Sequence, residues 1–315
     1  MRVLVTGASG FLGTALLKKL KLAAGIDARG SIRKALFTAD TLSKRVVVGE
    51  LSSQTLWTAA LEGVDVVVHT AARVHVMNDI SAGALEKFRA INVEATCHLA
   101  EMAVLADVKR FIFISSIKVN GEFTNAMQSY KADDAPAPKD FYGISKLEAE
   151  IKLREISQRS GMELVIIRPP LIYGPGVKAN FALMMRWIKR RVPLPLGAIN
   201  NLRSFVSIDN IVDLIQVCLV HPAASGQIFL VSDGEDVSTT KLLRKIAAAL
   251  GVDCTMLPLP SGFIRLVATL FGRKESAQRL FSSLQVDIEK TRTLLGWTPP
   301  ITLTEGLRQT VAHVT

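Results

Sequence analysis

Short apolar segments without polar alternation occupy residues 2–6, 46–48, 64–69, 111–115, 164–168 and 228–231. Between them the apolar spacing changes to three and four, as in 11–22 with Leu12, Leu16, Leu17 and Leu20, and helices are expected again over 84–106 and 142–159. A strand that is apolar at every position is covered on both faces. Such strands alternating with helices predict a parallel sheet with helices on both sides, and right-handed crossovers make it a doubly wound α/β fold. After Arg168 the pattern breaks at Pro169-Pro170, Gly174-Pro175-Gly176 and Val192-Pro193-Leu194-Pro195-Leu196, and past Gly234 helices and loops dominate. The expected organisation is a sheet domain from 1–168 and 204–233, with a smaller C-terminal α/β lobe from 169–203 and 234–315.

Composition narrows the class. With 315 residues, 49% of them hydrophobic, and a mean hydropathy of +0.30, the chain has ample material for a core and does not match a disordered one. No run of ~18 apolar residues predicts a membrane span, and the N-terminal apolar run ends in Gly7 with no Ala-x-Ala site, so no signal peptide is expected. Cys97, Cys218 and Cys254 are odd in number and lack metal-like spacing. Buried thiols in a reducing compartment, the cytoplasm, are the expectation, and five scattered histidines add no metal pattern. The net charge of +10 asks for an anionic partner or a solvated surface. The run Lys189-Arg190-Arg191 lies on a predicted helix without interleaved aromatics, which favours a solvated face over nucleic acid.

Three motifs carry chemistry. Gly7-Ala8-Ser9-Gly10-Phe11-Leu12-Gly13 follows a strand and opens a helix, where glycines permit a tight turn and the helix N-terminus offers unpaired amides to a pyrophosphate. Tyr142 and Lys146 stand four apart on one helix face, so an ammonium near the phenol is expected to lower its pKa toward a working acid/base. Ser115-Ser116 ends an apolar strand, where a hydroxyl could reach a substrate oxygen.

These residues, in this order, resemble the extended short-chain dehydrogenase/reductases, and among them the nucleotide-sugar epimerase, dehydratase and reductase group. The resemblance spans essentially the whole chain. It includes His69-Thr70-Ala71-Ala72, Asn92-Val93, Arg168-Pro169-Pro170, Tyr173-Gly174-Pro175-Gly176, Arg203-Ser204-Phe205-Val206 and Leu295-Gly296-Trp297. What it implies is a Rossmann fold and a catalytic triad of Ser116, Tyr142 and Lys146. The phenol would shuttle a sugar proton, the lysine would bind the nicotinamide ribose, and the serine would bond the reacting oxygen. It further implies a dinucleotide site of Gly7, Ser9, Gly10, Phe11, Leu12, Gly13, Arg33, Glu50, Leu51, Thr70, Ala71, Ala72, Asn92, Ser115, Tyr142, Lys146 and Pro169.

Departures from the family pattern discriminate further. Sugar 4,6-dehydratases carry Asp-Glu directly after the catalytic hydroxyl, whereas this chain has Ile117 and Lys118, which cannot carry out that elimination. Lys118 is left among a phosphate, the substrate and solvent. A second strand of about six residues beginning after Gly25 would start at Asp27 and end near Arg33. Asp27 is then too far back for a ribose 2′-hydroxyl, and Arg33, helped by Lys34 or Arg29, becomes a 2′-phosphate partner. NADP(H) is favoured over NAD(H). A net reductase exchanges its cofactor each turn, so the expectation tilts toward an NADPH-dependent 4-ketoreductase of a UDP-4-keto-6-deoxy-N-acetylhexosamine in surface-polysaccharide synthesis. The run Ser115 to Glu122 also resembles these reductases. A UDP-hexose 4-epimerase with tightly held NAD is the runner-up.

For the UDP-sugar, the resemblance implies Asn180 and Arg203 at the diphosphate, with Arg279 as a second candidate, and substrate contacts from Arg73, Ser116 and Lys118. Phe181 and the Pro193 to Leu196 stretch would flank the base, with a core role for Phe181 as the alternative. Reduction of a hydrophobic carbonyl, as in the dihydroflavonol-reductase and 3β-hydroxysteroid branches, leaves Asn180 and Arg203 unexplained, and a non-catalytic dinucleotide sensor leaves Tyr142 unexplained. A homodimer through a four-helix interface is expected, with Ala95, Leu99 and Ala103 on one helix and Leu147, Ile151 and Ile156 on the other. Packing within the monomer explains part of that stripe equally well. Neither nucleic acid nor stable membrane association is expected, and the apolar stretch 263–271 is taken as core rather than a lid or membrane contact.

Overall fold

The computed structural model describes residues 1–34, 44–74, 83–125, 128–260, 262, 264, 278 and 280–313, with the side chains of residues 179 and 180 left aside. Strand β1 (Arg2–Thr6) leads through the glycine turn into α1 (Phe11–Lys21), followed by β2 (Asp27–Ile32), β3 (Lys44–Val47), the short α2 (Thr58–Leu61) and β4 (Val66–His69). The expected helix over 84–106 is three pieces: α3 (Ala84–Arg89), a π-helical turn (Ala90–Glu94) and α4 (Ala95–Leu105). Then come β5 (Arg110–Ile114), α5 (Phe141–Ser160), β6 (Glu163–Arg168), β7 (Leu171–Tyr173) and α6 (Ala179–Lys189). The chain continues with β8 (Phe205–Ser207), α7 (Ile208–Val220), β9 (Ile228–Leu230), α8 (Thr239–Leu250), α9 (Glu289–Leu295) and α10 (Leu303–Val311).

Seven strands form one sheet in the order β3-β2-β1-β4-β5-β6-β9, with every pairing parallel. The chain winds outward in both directions from β1 and β4, so the crevice at their C-terminal ends is the switch point where such sheets place ligands. The apolar runs are explained by alternate residues serving opposite faces. Val3, Val5, Val66, Val68, Ile112 and Ile114 pack with Leu16, Leu20, Ile211 and Ile215 on one side. On the other, Leu4, Val67, Phe111, Phe113 and Ile166 pack with Leu99, Ala103, Ala149 and Leu153. Strand β2 lacks such a run because it passes tightly under the glycine turn: a Cβ at Gly30 would lie 2.5 Å from the Ala8 Cβ.

A third apolar cluster unites β7, α6, α8 and α10 around Tyr173, Phe181, Met185, Ile188, Leu243, Ile246 and Leu307. Strands β7 and β8 pair in parallel as a small second sheet beside it. Leu99, Ala103 and Ile156 are buried against the chain's own sheet and Ala95 is buried as well, so this part of the expected dimer stripe is monomer core. Of that stripe, Ile151 remains 46% exposed. Of the cysteines, Cys218 alone is buried, while Cys97 and Cys254 are half-buried. Within 263–271, only residue 264 falls among the described residues. No helix among the described residues is long and apolar enough to cross a membrane.

Candidate active site

The turn after β1 is shaped by contacts that only glycine allows. Gly7 has φ +67°, and a Cβ there would meet Ala71 N at 2.8 Å; a Cβ at Gly13 would sit 2.3 Å from Gly7 O. Gly10 caps α1 with no side chain of its own bonding the first turn, so the amides of that turn point into the crevice. At the crevice mouth, Ser9, Arg33, Lys34 and Glu50 line a cavity of about 270 Å³. Arg33 Nη1 lies 3.6 Å from Glu50 Oε2, and both side chains are largely exposed. Strand β2 begins at Asp27, which is ion-paired with Lys44 at 3.0 Å and Arg2 at 3.5 Å, far from this mouth. Arg29 is no helper for a phosphate, since its Nη1 donates to the Ala59 carbonyl at 3.4 Å. A cradle of amides beside a cationic pocket fits a dinucleotide.

Ser116 follows β5, and its hydroxyl accepts from Lys118 N at 3.3 Å to cap the next turn. The same hydroxyl lies near the Tyr142 phenol and favours its ionised form. Tyr142 sits in the first turn of α5, where Asp140 caps the helix by accepting from Gly143 N at 2.7 Å. Lys118 Nζ forms ion pairs with Asp140 and, at 3.4 Å, with Glu122. The lysine therefore pins the Ser116 turn to the start of α5, and is not a residue free for phosphate, substrate or solvent.

Burial pushes the Tyr142 phenol above its ordinary pKa, and the Asp140 charge adds to this against the Ser116 hydroxyl. The expected lowering by Lys146 is not found. Lys146 Nζ instead donates to the Ile114 carbonyl at 2.8 Å and lies 4.4 Å from the Phe113 ring centre. Burial takes the ammonium down to about 7, with Glu150 opposing the loss of charge. Ser115 is also turned away from the crevice: its Oγ donates to Glu150 at 2.6 Å.

The β4 side is held by a strap. Asn92, 1% exposed in the π turn, accepts from Arg73 N at 2.8 Å and donates to Arg73 O at 3.0 Å. It also donates to Ser145 Oγ at 3.0 Å, and Ser145 Oγ donates in turn to the Tyr142 carbonyl at 2.8 Å. The side chain of Asn92 thus ties loop to helix and is not spread toward a cofactor. Arg73 stacks over Phe88 at 5.4 Å, and Phe88 meets Tyr142 edge-on at 6.4 Å. Thr70 Oγ1 donates to Thr6 O at 2.6 Å, and Ala71 and Ala72 are half-buried beside it. Phe11, Leu12 and Leu51 line the sheet side, while the Pro169 carbonyl accepts from Ile117 N at 3.0 Å.

In the second lobe, Phe181 is 2% exposed and stacks on Tyr173 at 5.5 Å, so it is core rather than a flank for a base. Leu194 and Leu196 are buried in the same cluster. Arg203 is half-buried and donates through Nη1 to the Ser282 carbonyl at 3.0 Å. The side chain of Asn180 and all of Arg279 lie outside the described residues. Sequence reasoning passed over Asp140, Ser145, Asn120 and Glu150, each an ordinary polar residue in the text. The one signal for Glu150 is its place four residues after Lys146.

The profile of the NAD dependent epimerase/dehydratase family matches residues 3–232. The chain belongs to this family. Among its relatives, a UDP-glucose 4-epimerase of Vibrio cholerae is 48% identical over 98% of this chain and 94% of its own length. Solved structures of the same fold include a UDP-glucuronic acid 4-epimerase from Bacillus cereus in complex with NAD, at TM-score 0.78, 22% identity and coverage of 100% and 98%. Another is RMD from Pseudomonas aeruginosa complexed with NADPH, at TM-score 0.76, 22% identity and coverage of 99% of both chains. Family membership accounts for the glycine turn and for the phenol, hydroxyl and ammonium grouped at the ends of β5 and α5.

Proposed function

We propose that the chain is a nucleotide-sugar 4-epimerase acting on a UDP-hexose, either UDP-glucose or UDP-N-acetylglucosamine. The carrying observation is a site with one phenol beside one serine hydroxyl, while the two positions after that serine offer no acid/base: Ile117 is buried and Lys118 is ion-paired. Epimerisation takes a proton from the C4 hydroxyl and returns it to the same oxygen, which one such phenol can do. Elimination needs a second group. The 48% identity with a UDP-glucose 4-epimerase supports this reading over net reduction.

A nicotinamide cofactor, when bound, would accept hydride from C4 in its oxidised form and return it in its reduced form. Tyr142 takes the C4 hydroxyl proton as the sugar is oxidised and returns it as the 4-keto sugar is reduced on its other face. Ser116 holds the reacting oxygen, and Lys146 holds the cofactor ribose. The amides opening α1 bind the pyrophosphate, with Ser9, Arg33 and Glu50 at the adenosine end. Arg203, with Asn180 and Arg279, serves the sugar diphosphate, and Arg73 faces the sugar. The sheet domain of 1–168 and 204–233 holds the dinucleotide, and the lobe of 169–203 and 234–315 holds the UDP-sugar. The outer faces of α4 and α5 form a homodimer, in which Ile151 is covered, and the enzyme works in the cytoplasm.

One observation favours the second reading, an NADPH-dependent 4-ketoreductase: Arg33, Lys34 and Ser9 share a cavity suited to a 2′-phosphate. Purified protein incubated with UDP-glucose or UDP-N-acetylglucosamine, followed by proton NMR, decides between them. Interconversion of the C4 epimers without added cofactor, release of NAD on denaturation, and a loss of ~10²-fold or more in Tyr142→Phe support the epimerase. Stoichiometric NADPH consumption with a UDP-4-keto sugar and no epimer formation overturns it.

A further inference from the structure

A buried polar cluster lies beneath the Tyr142 and Lys146 face, and proton shuttling at C4 does not call on it. Glu150, one helical turn after Lys146, is fully buried. Arg168, the last residue of β6, grips it with two prongs, Nε to Oε1 at 2.9 Å and Nη2 to Oε2 at 2.6 Å. Ser115 Oγ also donates to Oε1 at 2.6 Å, and Arg154 Nη2 approaches Oε2 at 3.4 Å. Arg168 Nη1 donates to Asn120 Oδ1 at 3.0 Å, and Asn120 Nδ2 donates to the Lys131 carbonyl at 3.0 Å. One carboxylate therefore gathers α5, the end of β5, the turn after Ser116 and the end of β6. A buried ion pair is weak as a stabiliser compared with apolar residues of the same volume. Its use is to be sought among its neighbours.

One turn back on the same helix is Lys146, 2% exposed, whose Nζ is held at the Ile114 carbonyl, next to the Ser115 that Glu150 holds. Among the charged and titratable groups packed around this lysine, Tyr142 shares its helix and is neutral, held so by burial and the Asp140 charge. His69 comes from β4 and is held neutral by burial, with its pKa down at about 3. Arg168 comes from β6 and is engaged by Glu150. Glu150 is the group whose charge favours the ammonium.

We infer that Glu150 is a positioning residue for Lys146: clamped by Arg168 and Ser115, it is the buried counter-charge of the lysine and fixes α5 against the ends of β5 and β6. The inference rests on Lys146 working as an ammonium in the function proposed above. Ser115 belongs to this clamp, which explains why the first serine of the pair turns inward while the second meets Tyr142.

Two variants separate charge from packing. Arg168→Met leaves the carboxylate with Ser115 and Arg154, whereas Glu150→Gln/Arg168→Met removes both members of the buried ion pair. Lys146 is titrated in each by NMR of nitrogen-labelled lysine, its resonance assigned with Lys146→Arg. This readout needs no substrate, so its failure is distinguishable from failure of the proposed reaction. The expected result is a midpoint at least one unit lower in the double variant, about tenfold weaker proton binding, and at or above the native midpoint in Arg168→Met. An unmoved midpoint in the double variant, or an equal fall in both variants, overturns the inference. If the double variant does not fold, a lowered midpoint in Arg168→Met overturns it and an unlowered one supports it. In turnover, the alkaline limb of kcat should move to lower pH in the double variant while KM stays within about threefold. A uniform loss of kcat at every pH marks a purely structural role and also overturns it.

Discussion

Asn92 Nδ2 donates to Ser145 Oγ at 3.0 Å, a bond across helices that carries the loop of Arg73 onto the first turn of α5. The bond exists because the π turn at Ala90–Glu94 sets an extra residue into the helix and leaves Asn92 facing inward. Asn92→Ala removes three buried hydrogen bonds, each with a net value of about 1 kcal/mol. Chemical denaturation should register a loss of ~2–3 kcal/mol. Turnover should fall as well, because Arg73 and Tyr142 lose their common anchor. Unchanged stability in Asn92→Ala would show that the strap carries no net energy.

Arg33, at the cavity with Ser9, Lys34 and Glu50, is the proposed 2′-phosphate partner. Replacing it with alanine should weaken NADP(H) binding by about tenfold or more, the scale of one charge-assisted bond, and leave NAD(H) within about threefold. Calorimetric titration of both dinucleotides measures the ratio. Glu50→Gln should move the ratio the other way, since it removes an anion 3.6 Å from the guanidinium.

Gly13→Ala tests the cradle. The added Cβ would stand 2.3 Å from the Gly7 carbonyl oxygen, a backbone atom that cannot retreat without opening the turn. Dinucleotide binding should be lost and thermal stability lowered together, read by titration and by Tm.

His69 makes stability depend on acid. Its Nδ1 lies 2.7 Å from Thr6 Oγ1 and its Nε2 lies 3.0 Å from Thr96 Oγ1, and the ring stacks on Phe113. Burial, with some repulsion from Lys146, lowers its pKa from 6.5 to about 3. Between those values the unfolded chain holds a proton that the folded chain does not. Stability from this group is present above 6.5 and falls as pH drops toward 3, by about 1.4 kcal/mol per unit within the window. Denaturant unfolding from pH 7 to 4 should show that slope, and His69→Gln should flatten it by about one proton.

The strands at 2–6, 64–69, 111–115 and 164–168 were legible because a doubly covered strand is apolar at every position, a property of composition along a few residues. Strand β2 was not apolar, and was placed by counting from Gly25 to Arg33; its low hydrophobicity reflects a close pass beneath the glycine turn that no local pattern records. The elements that carry Ser116, Tyr142 and Lys146 were likewise readable, since the sequence marks the end of β5 and the start of α5.

Direction and burial were not readable. Phe181 was open between a base-flanking and a core role and is core, because α6 turns its face onto Tyr173. The Ala95, Leu99 and Ala103 stripe suited either an interface or monomer packing, and Leu99 and Ala103 cover the sheet. Lys146 was expected to lower the phenol of Tyr142 by proximity, but desolvation raises it instead, and desolvation depends on every element packed around the pair. Glu150 drew no reading from the sequence, and only the convergence of β5, β6 and α5 makes it a buried carboxylate. Local sequence thus determined which elements form and which chemical groups end them. The tertiary structure decided which groups share a low-dielectric interior, because burial and charge are properties of the surroundings rather than of the residue.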